Sequence, residues 1–311
     1  MATEPTIAVL TTPPIAGRGG AARLWAAASD YWALTKPDVN FLILVTTFAG
    51  FYLAPAAGLG GFRVLRVIHT LVGTLLVAGG TGTLNQFAER SFDRQMRRTA
   101  RRPLASGRLT PSHVLWFGIS LSIAGGVYLA LVVNVLTSLL AVATLLSYLF
   151  LYTPIKRKTP LCTLVGAFPG AVPPLIGWAA ARGRLDPAAW VLYAIVFFWQ
   201  FPHFMAIAWM YRDDYLRAGY EILPRGPNKA RFMGWQSVLS SLALLCVTVS
   251  ALLVQQAGAL LTIGTLIFSL AFLYCAAKLA LVQSNAAARR LLVVSVIYLP
   301  IVFALQLLAG L

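Results

Sequence analysis

Five oxygen-bearing side chains in this 311-residue sequence have the types and spacing that chemistry on a charged substrate requires. Asn85, Glu89 and Asp93 follow one another at intervals of four residues, which places them along one face of an α-helix. Amide and carboxylate oxygens are ligands that suit Mg²⁺, usually together with water and substrate phosphate oxygens. Asp213 and Asp214 form a second acidic group further along the chain. We predict that these five residues are catalytic and hold Mg²⁺.

Basic residues accompany the acidic groups. Arginine presents forked donors that match phosphate oxygens, and lysine supplies a compact positive charge. We therefore expect a substrate diphosphate to bind beside the metal, with its charge neutralised by both. The predicted diphosphate-binding residues are Arg97, Arg98, Arg101, Arg102, Lys156 and Arg157. The alternative is that Glu89 and Asp93 only form ion pairs with the arginines, which then serve solely as topology signals.

The composition indicates which elements position these residues. Of the chain, 59% is hydrophobic and 11% is charged, whereas a soluble domain carries about 25% charged residues. The bilayer must therefore solvate most of the apolar surface. Nine apolar stretches have the length, about 17–25 residues, that a membrane-crossing helix needs. They lie at about 39–55, 64–88, 112–133, 135–153, 161–180, 188–210, 235–256, 258–282 and 290–309.

These stretches predict an all-α, polytopic membrane protein with nine transmembrane helices around a lipid-accessible cavity. Open strands are excluded, because lipid cannot satisfy the hydrogen bonds of their edges. Residues 1–36 are rich in Ala, Thr, Pro and Gly and are predicted to be a loosely ordered cytoplasmic tail. Residues 37–311 are predicted to form a single transmembrane domain.

The distribution of charge predicts the orientation. A net charge of +16 would suggest nucleic acid as the partner of a soluble protein. Here, with the N-terminus inside, all but four of the 25 basic residues lie on the cytoplasmic side, which excludes nucleic acid and predicts N-in, C-out topology. The exceptions are Arg63, Arg66, Arg182 and Arg184. Helices one to four and five to eight are interpreted as two halves with the same orientation in the membrane. Each acidic group follows the second helix of its half, so both groups are expected at one cytoplasmic rim.

Several short motifs, spread over about residues 31–309, carry a resemblance to a known family. They are Thr35-Lys36-Pro37, Asn85 to Asp93 with the arginines after it, Tyr152-Thr-Pro-Ile-Lys156-Arg157, Gly170-Ala-Val-Pro173-Pro174, Trp199-Gln-Phe-Pro202-His203 and Asp213-Asp214-Tyr215-Leu-Arg-Ala-Gly219. The sequence resembles the intramembrane UbiA-type prenyltransferase superfamily, and within it the branch that prenylates haem. Arg217 departs from the second Asp-x-x-x-Asp of many relatives, which fits this branch.

The resemblance implies a transferase that moves farnesyl from farnesyl diphosphate to a vinyl group of haem b, forming haem O and releasing diphosphate. His203, about seven residues inside the sixth predicted helix, is then a candidate haem-binding residue. The alternative for His203 is a hydrogen bond to a neighbouring helix. The implied partners are the lipid bilayer and a haem A synthase or a terminal oxidase. The tail lacks an Arg-rich amphipathic pattern, which favours the inner (plasma) membrane of a bacterium.

Two other functions remain open. The same chemistry on an aromatic or quinone-precursor acceptor is one, although the stretch around His203 disfavours it. A secondary transporter is the other. Transporters often carry polar sites near the midplane between inverted repeats, whereas the two predicted halves here are parallel and their acids lie at one rim.

Overall fold

A computed structural model describes residues 20–55, 62–254, 256 and 258–309. Within these ranges the chain forms helices joined by turns and loops, without a β-strand, as predicted. One π-helical turn spans Leu129–Val133 and another spans Tyr148–Tyr152. The helices are α1 (Gly20–Leu34), α2 (Pro37–Leu53), α3 (Arg63–Asp93), α4 (Pro111–Tyr128), α5 (Val135–Ser147), α6 (Thr153–Ile155), α7 (Cys162–Gly170), α8 (Pro173–Arg182), α9 (Pro187–Met210), α10 (Arg212–Arg217), α11 (Asn228–Val254), α12 (Ala259–Val282) and α13 (Asn285–Ala309).

Eight stretches of the described chain are helical, long and apolar enough to cross a membrane. They are α3, α4 with its π-helical turn, α5 through α6, α7 with α8, α9, most of α11, α12 and α13. The first predicted segment corresponds to α2, whose 17 residues make a shorter apolar helix. The prediction of a polytopic, all-α membrane protein is confirmed. A ninth crossing, a lipid-accessible cavity and the orientation remain predictions.

The span formed by α7 and α8 is broken between the two helices. Pro173 and Pro174 begin α8, and proline lacks the N–H that a continuous helix would need at these positions. Every residue of α8 from Pro173 to Ala181 is buried, and α8 packs on α2, α3, α5 and α9. This helix therefore lies at the centre of the bundle.

Glycines allow the close approach of α2 and α8. Gly177 lies against the backbone carbonyl of Thr47, and Gly50 lies against the backbone carbonyl of Pro174. A methyl group at either glycine would occupy the space of the facing oxygen. Small residues at such interfaces let membrane helices pack backbone to backbone.

Gly177→Ala is expected to destabilise the protein by about 1–3 kcal/mol, because the added methyl group overpacks the α2–α8 interface. Gly264→Ala in α12 is the control, since its new Cβ would make an ordinary contact with Leu305. Thermal unfolding in detergent, followed by circular dichroism, should show a lower midpoint for the Gly177 variant alone. Equal midpoints would show that the two helices have room to separate.

The structure corrects the prediction for part of the N-terminal tail, because residues 20–34 form helix α1. Six of its 15 residues are alanine, the residue with the highest helix propensity. Its C-terminal end is bound to α3, where Gln86 Nε2 donates to the Leu34 carbonyl at 3.0 Å. Asp30 also pairs with Arg108 at 3.0 Å. Residues 1–19 of the predicted tail lie outside the described residues.

The predicted orientation leads to an accessibility experiment. In a background without the natural cysteines, Arg184→Cys should react with a membrane-impermeant maleimide added outside intact cells. Ser106→Cys, in the exposed loop after α3, should react only after the cells are opened. The reverse labelling pattern would contradict the N-in, C-out prediction.

Candidate active site

The last turns of α3 carry the predicted Asn85, Glu89 and Asp93 along one face. Their exposed fractions are 1%, 7% and 1%, so this face is turned into the protein. A buried carboxylate at a membrane helix needs a partner. The common face follows from the helical spacing, but its inward direction is a property of the packing.

A cationic side chain from another part of the sequence pairs with each of these three residues. The pairs, with their nitrogen–oxygen distances, are Lys36–Asn85 (2.6 Å), Lys156–Glu89 (2.9 Å) and Arg102–Asp93 (2.8 Å). Both acids are therefore paired, Asp93 with one of the predicted arginines and Glu89 with a lysine. Positive and negative groups meet in one buried cluster at one end of the bundle.

Lys36 is not among the residues that the sequence assigns to the site. It directly precedes α2 and has a φ of 56°, in the left-handed region that residues other than glycine seldom adopt. Burial, and then the nearby Arg102 guanidinium, lower the pKa of the Lys36 ammonium to about 7. The signal in the sequence is the motif Thr35-Lys36-Pro37, but a lysine beside an apolar segment also serves as a topology signal.

Lys156 follows α6 and is 9% exposed. Its Nζ lies 4.4 Å from the ring centroid of Tyr152 and 5.8 Å from that of Tyr148. Burial acts to lower the pKa of Lys156, but the Glu89 carboxylate and these tyrosines outweigh it and hold that pKa well above its usual range. Lys156 is therefore a fixed positive charge beside Glu89.

The neighbouring Arg157 is exposed and lies over the ring of Phe92 at 4.3 Å.

The predicted phosphate-binding arginines belong to the loop of residues 94–110, which folds back on the end of α3. Thr99 Oγ1 donates to the Asp93 carbonyl at 2.9 Å, which holds the loop against the helix. Arg97, Arg98 and Arg101 are exposed, whereas Arg102 is partly buried against Asp93. The loop thus offers several guanidinium groups to a substrate beside the buried acids.

The structure brings Asp214, but not Asp213, to this loop. Asp214 is 8% exposed, and its Oδ2 accepts from the backbone N–H of Arg98 at 3.3 Å. Its Oδ1 accepts from Arg217 at 3.0 Å. Asp213 is exposed, because neighbouring residues on a helix point about 100° apart. The predicted convergence of the two acidic groups is therefore found for one of the two aspartates.

The buried oxygens of this cluster fit a magnesium ion that arrives with its substrate. Asp93 Oδ1 is buried and has no hydrogen-bond partner among the described residues, so one carboxylate oxygen is open to a cation. In the part of the chain that the structure describes, no three His, Cys, Asp or Glu side chains form a complete metal site. Mg²⁺ usually takes one or two carboxylates and completes its shell with water and phosphate oxygens, which agrees with this arrangement.

His203 lies in α9 and makes the helix–helix hydrogen bond that the sequence left as an alternative. Its Nδ1 is 2.8 Å from Ser295 Oγ in α13, and its ring stacks on Trp199 with centroids 4.9 Å apart. Nε2 has no hydrogen-bond partner within the described residues. The role of His203 toward haem remains a prediction.

The described helices thus form an apolar bundle with acids and cations gathered at one end. The model of the UbiA prenyltransferase family matches residues 43–300 of this chain. The chain belongs to the UbiA prenyltransferase family and is a transferase. The predicted resemblance to this family is confirmed.

Among its relatives are proteins named protoheme IX farnesyltransferase. The one from Solibacter usitatus (strain Ellin6076) is 48% identical over 285 residues, which cover 90% of this chain and 98% of that protein. The one from Koribacter versatilis (strain Ellin345) is 40% identical over 306 residues, covering 96% and 98%.

Solved structures share the fold. A digeranylgeranylglyceryl phosphate synthase superimposes with a TM-score of 0.71 at 17% identity, covering 91% of this chain and 98% of that one. A UbiA homolog from Archaeoglobus fulgidus bound to GPP and Mg²⁺ gives a TM-score of 0.62 at 15% identity, covering 89% and 99%. At these identities the similarity establishes the fold alone.

Proposed function

We propose that this protein transfers the farnesyl group of farnesyl diphosphate to a vinyl group of haem b, forming haem O and releasing diphosphate. The observation that carries this proposal is the similarity, over nearly the whole chain, to two proteins named protoheme IX farnesyltransferase. The buried cluster at the end of α3 supports it, because its acids and cations suit a metal-bound diphosphate.

The reaction exchanges one bond of the farnesyl chain for another. The bond between C1 and the diphosphate oxygen breaks, and C1 bonds to the terminal carbon of the vinyl group. Water then adds its hydroxyl to the other vinyl carbon and loses its second proton. Mg²⁺, bound by one or two of the side chains Asn85, Glu89, Asp93 and Asp214 together with water and phosphate oxygens, would supply charge neutralisation for the leaving diphosphate.

The cationic residues have two tasks in this proposal. Arg97, Arg98 and Arg101 are exposed and donate to phosphate oxygens as the substrate enters. Lys156 and Arg102 are already held by Glu89 and Asp93, so they need little reorganisation to stabilise negative charge on the leaving group.

Water must reach the carbon skeleton only after the new carbon–carbon bond has formed. C1 becomes cation-like when diphosphate leaves, and an apolar environment protects it from premature hydrolysis. The rings of Tyr148 and Tyr152, which already face the Lys156 ammonium, present π-electrons that also stabilise positive charge.

The proposed setting is the inner membrane of a bacterium, with the site on the cytoplasmic side. Both substrates have large apolar parts and enter from the lipid. The bias of basic residues toward one side of the helices supports this orientation. A haem A synthase or a terminal oxidase would receive the haem O.

Purified protein incubated with haem b, farnesyl diphosphate and Mg²⁺ should convert the haem to a species heavier by one farnesyl group and one hydroxyl group, as measured by mass spectrometry. A chelator should stop the conversion, and added Mg²⁺ should restore it. A parallel reaction with an aromatic acid in place of haem tests the alternative acceptor. Prenylation of that acid, with haem left unchanged, would overturn the proposal.

A further inference from the structure

The hydrogen bond between His203 and Ser295 has its direction fixed by a third group. Ser295 Oγ lies 2.6 Å from the carbonyl oxygen of Leu292, and a carbonyl oxygen can only accept. The serine therefore uses its single proton there. At the 2.8 Å contact with His203 Nδ1, the serine oxygen must accept, so Nδ1 carries the ring proton.

This arrangement determines the chemistry of the other ring nitrogen. A neutral imidazole with its proton on Nδ1 keeps a lone pair on Nε2. The ring plane is held by stacking on Trp199, with an interplanar angle of 24°. Trp199 Nε1 itself donates to the Ser295 carbonyl at 2.8 Å. The Ser295 hydroxyl thus fixes the tautomer of His203. The Ser295 backbone carbonyl holds the Trp199 ring on which His203 stacks.

We propose that Ser295 is a positioning residue for the haem substrate, holding His203 with Nε2 ready to bind the haem iron. This inference rests on the proposed function, since haem b is the acceptor there. Histidines that bind metals almost always donate their other N–H to an oxygen, which fixes the tautomer and the ring orientation. The Ser295 oxygen occupies that position here.

A second observation, independent of the histidine, concerns the residues that follow the end of α9. A cavity of about 190 Å³ beside α10 is lined by Arg212, Arg225 and Lys229 together with apolar side chains. Lys229 is partly buried and has no ion pair within the described residues. Arg212, the first residue of α10, follows the end of α9 and donates to Asn285 of α13 at 2.8 Å.

The α9–α13 contact therefore carries a ligand nitrogen inside the bundle and the Arg212 guanidinium at its end. Haem b has the same order of groups, with iron at the centre of an apolar ring and two carboxylates at one edge. Arg212 is therefore the cation that would meet a carboxylate of a haem whose iron is bound by His203.

The test is a titration of the purified protein with ferric haem b, followed by visible absorption and electron paramagnetic resonance. The wild type should show an imidazole-ligated haem, and His203→Ala should lose that signature. Ser295→Ala should weaken haem binding by about tenfold or more, and Ser295→Thr, which keeps the hydroxyl, should recover it. Ser250→Ala is the control, because Ser250 bonds to the carbonyl three residues before it, at 3.1 Å, and no hydrogen bond joins it to a histidine.

Steady-state kinetics separate this role from a purely structural one. Ser295→Ala should raise the KM for haem and leave the KM for farnesyl diphosphate unchanged. Wild-type affinity and spectrum in the Ser295→Ala protein would overturn the inference, whatever His203→Ala shows and even if the wild type forms haem O. Failure of the wild type to form haem O contradicts the proposed function separately, whatever the spectra show.

Discussion

Asp93→Asn is expected to lower farnesyl transfer by about a thousandfold while leaving the protein folded. The amide has the shape of the carboxylate but lacks its charge. The amide oxygen must face the Arg102 guanidinium, so the NH₂ group replaces the buried oxygen that is open to a cation. Initial rates of haem O formation, measured over a range of Mg²⁺ concentrations, give the effect.

Asp213→Asn is the matched control, because the Asp213 side chain is exposed and lies outside the buried cluster. It should change the rate by less than about threefold, as most surface substitutions do little. The two variants also decide between metal binding and simple ion pairing. An Asp93→Asn protein with normal turnover and a lower unfolding temperature would favour ion pairing alone.

Lys156→Met is expected to reduce turnover strongly and to destabilise the protein by about 3–5 kcal/mol, the cost of leaving a buried partner charge uncompensated. Lys156 and Glu89 have exposed side-chain fractions of 11% and 9%, and their charged atoms are 2.9 Å apart. Thermal unfolding in detergent and haem O formation are measured on the same preparation.

Two further variants separate stability from chemistry in this pair. Lys158→Met removes an exposed charge two residues away and should leave both measurements nearly unchanged. Lys156→Met combined with Glu89→Gln should regain much of the stability, since neither charge remains unpaired, but should not regain activity. Full activity in the double variant would show that this pair only stabilises the fold.

The sequence determined those features that depend on local periodicity and on composition. Apolar stretches of bilayer length can be satisfied in lipid only as helices, so the membrane fold follows from hydropathy. A spacing of four residues places Asn85, Glu89 and Asp93 on one helix face whatever surrounds that helix. The short motifs of the family lie in the same local stretches, which is why the resemblance was visible in the chain itself.

The tertiary structure alone decided which groups meet at that face. Lys36 is 49 residues from Asn85, and Lys156 is 67 residues from Glu89, so no local pattern reports either contact. The choice of Asp214 over Asp213 depends on how α10 rotates against the loop after α3. The tautomer of His203 likewise depends on Ser295, 92 residues away on another helix. Contacts between distant segments are set by the packing of whole helices, whereas spacing along one helix is set by its backbone hydrogen bonds.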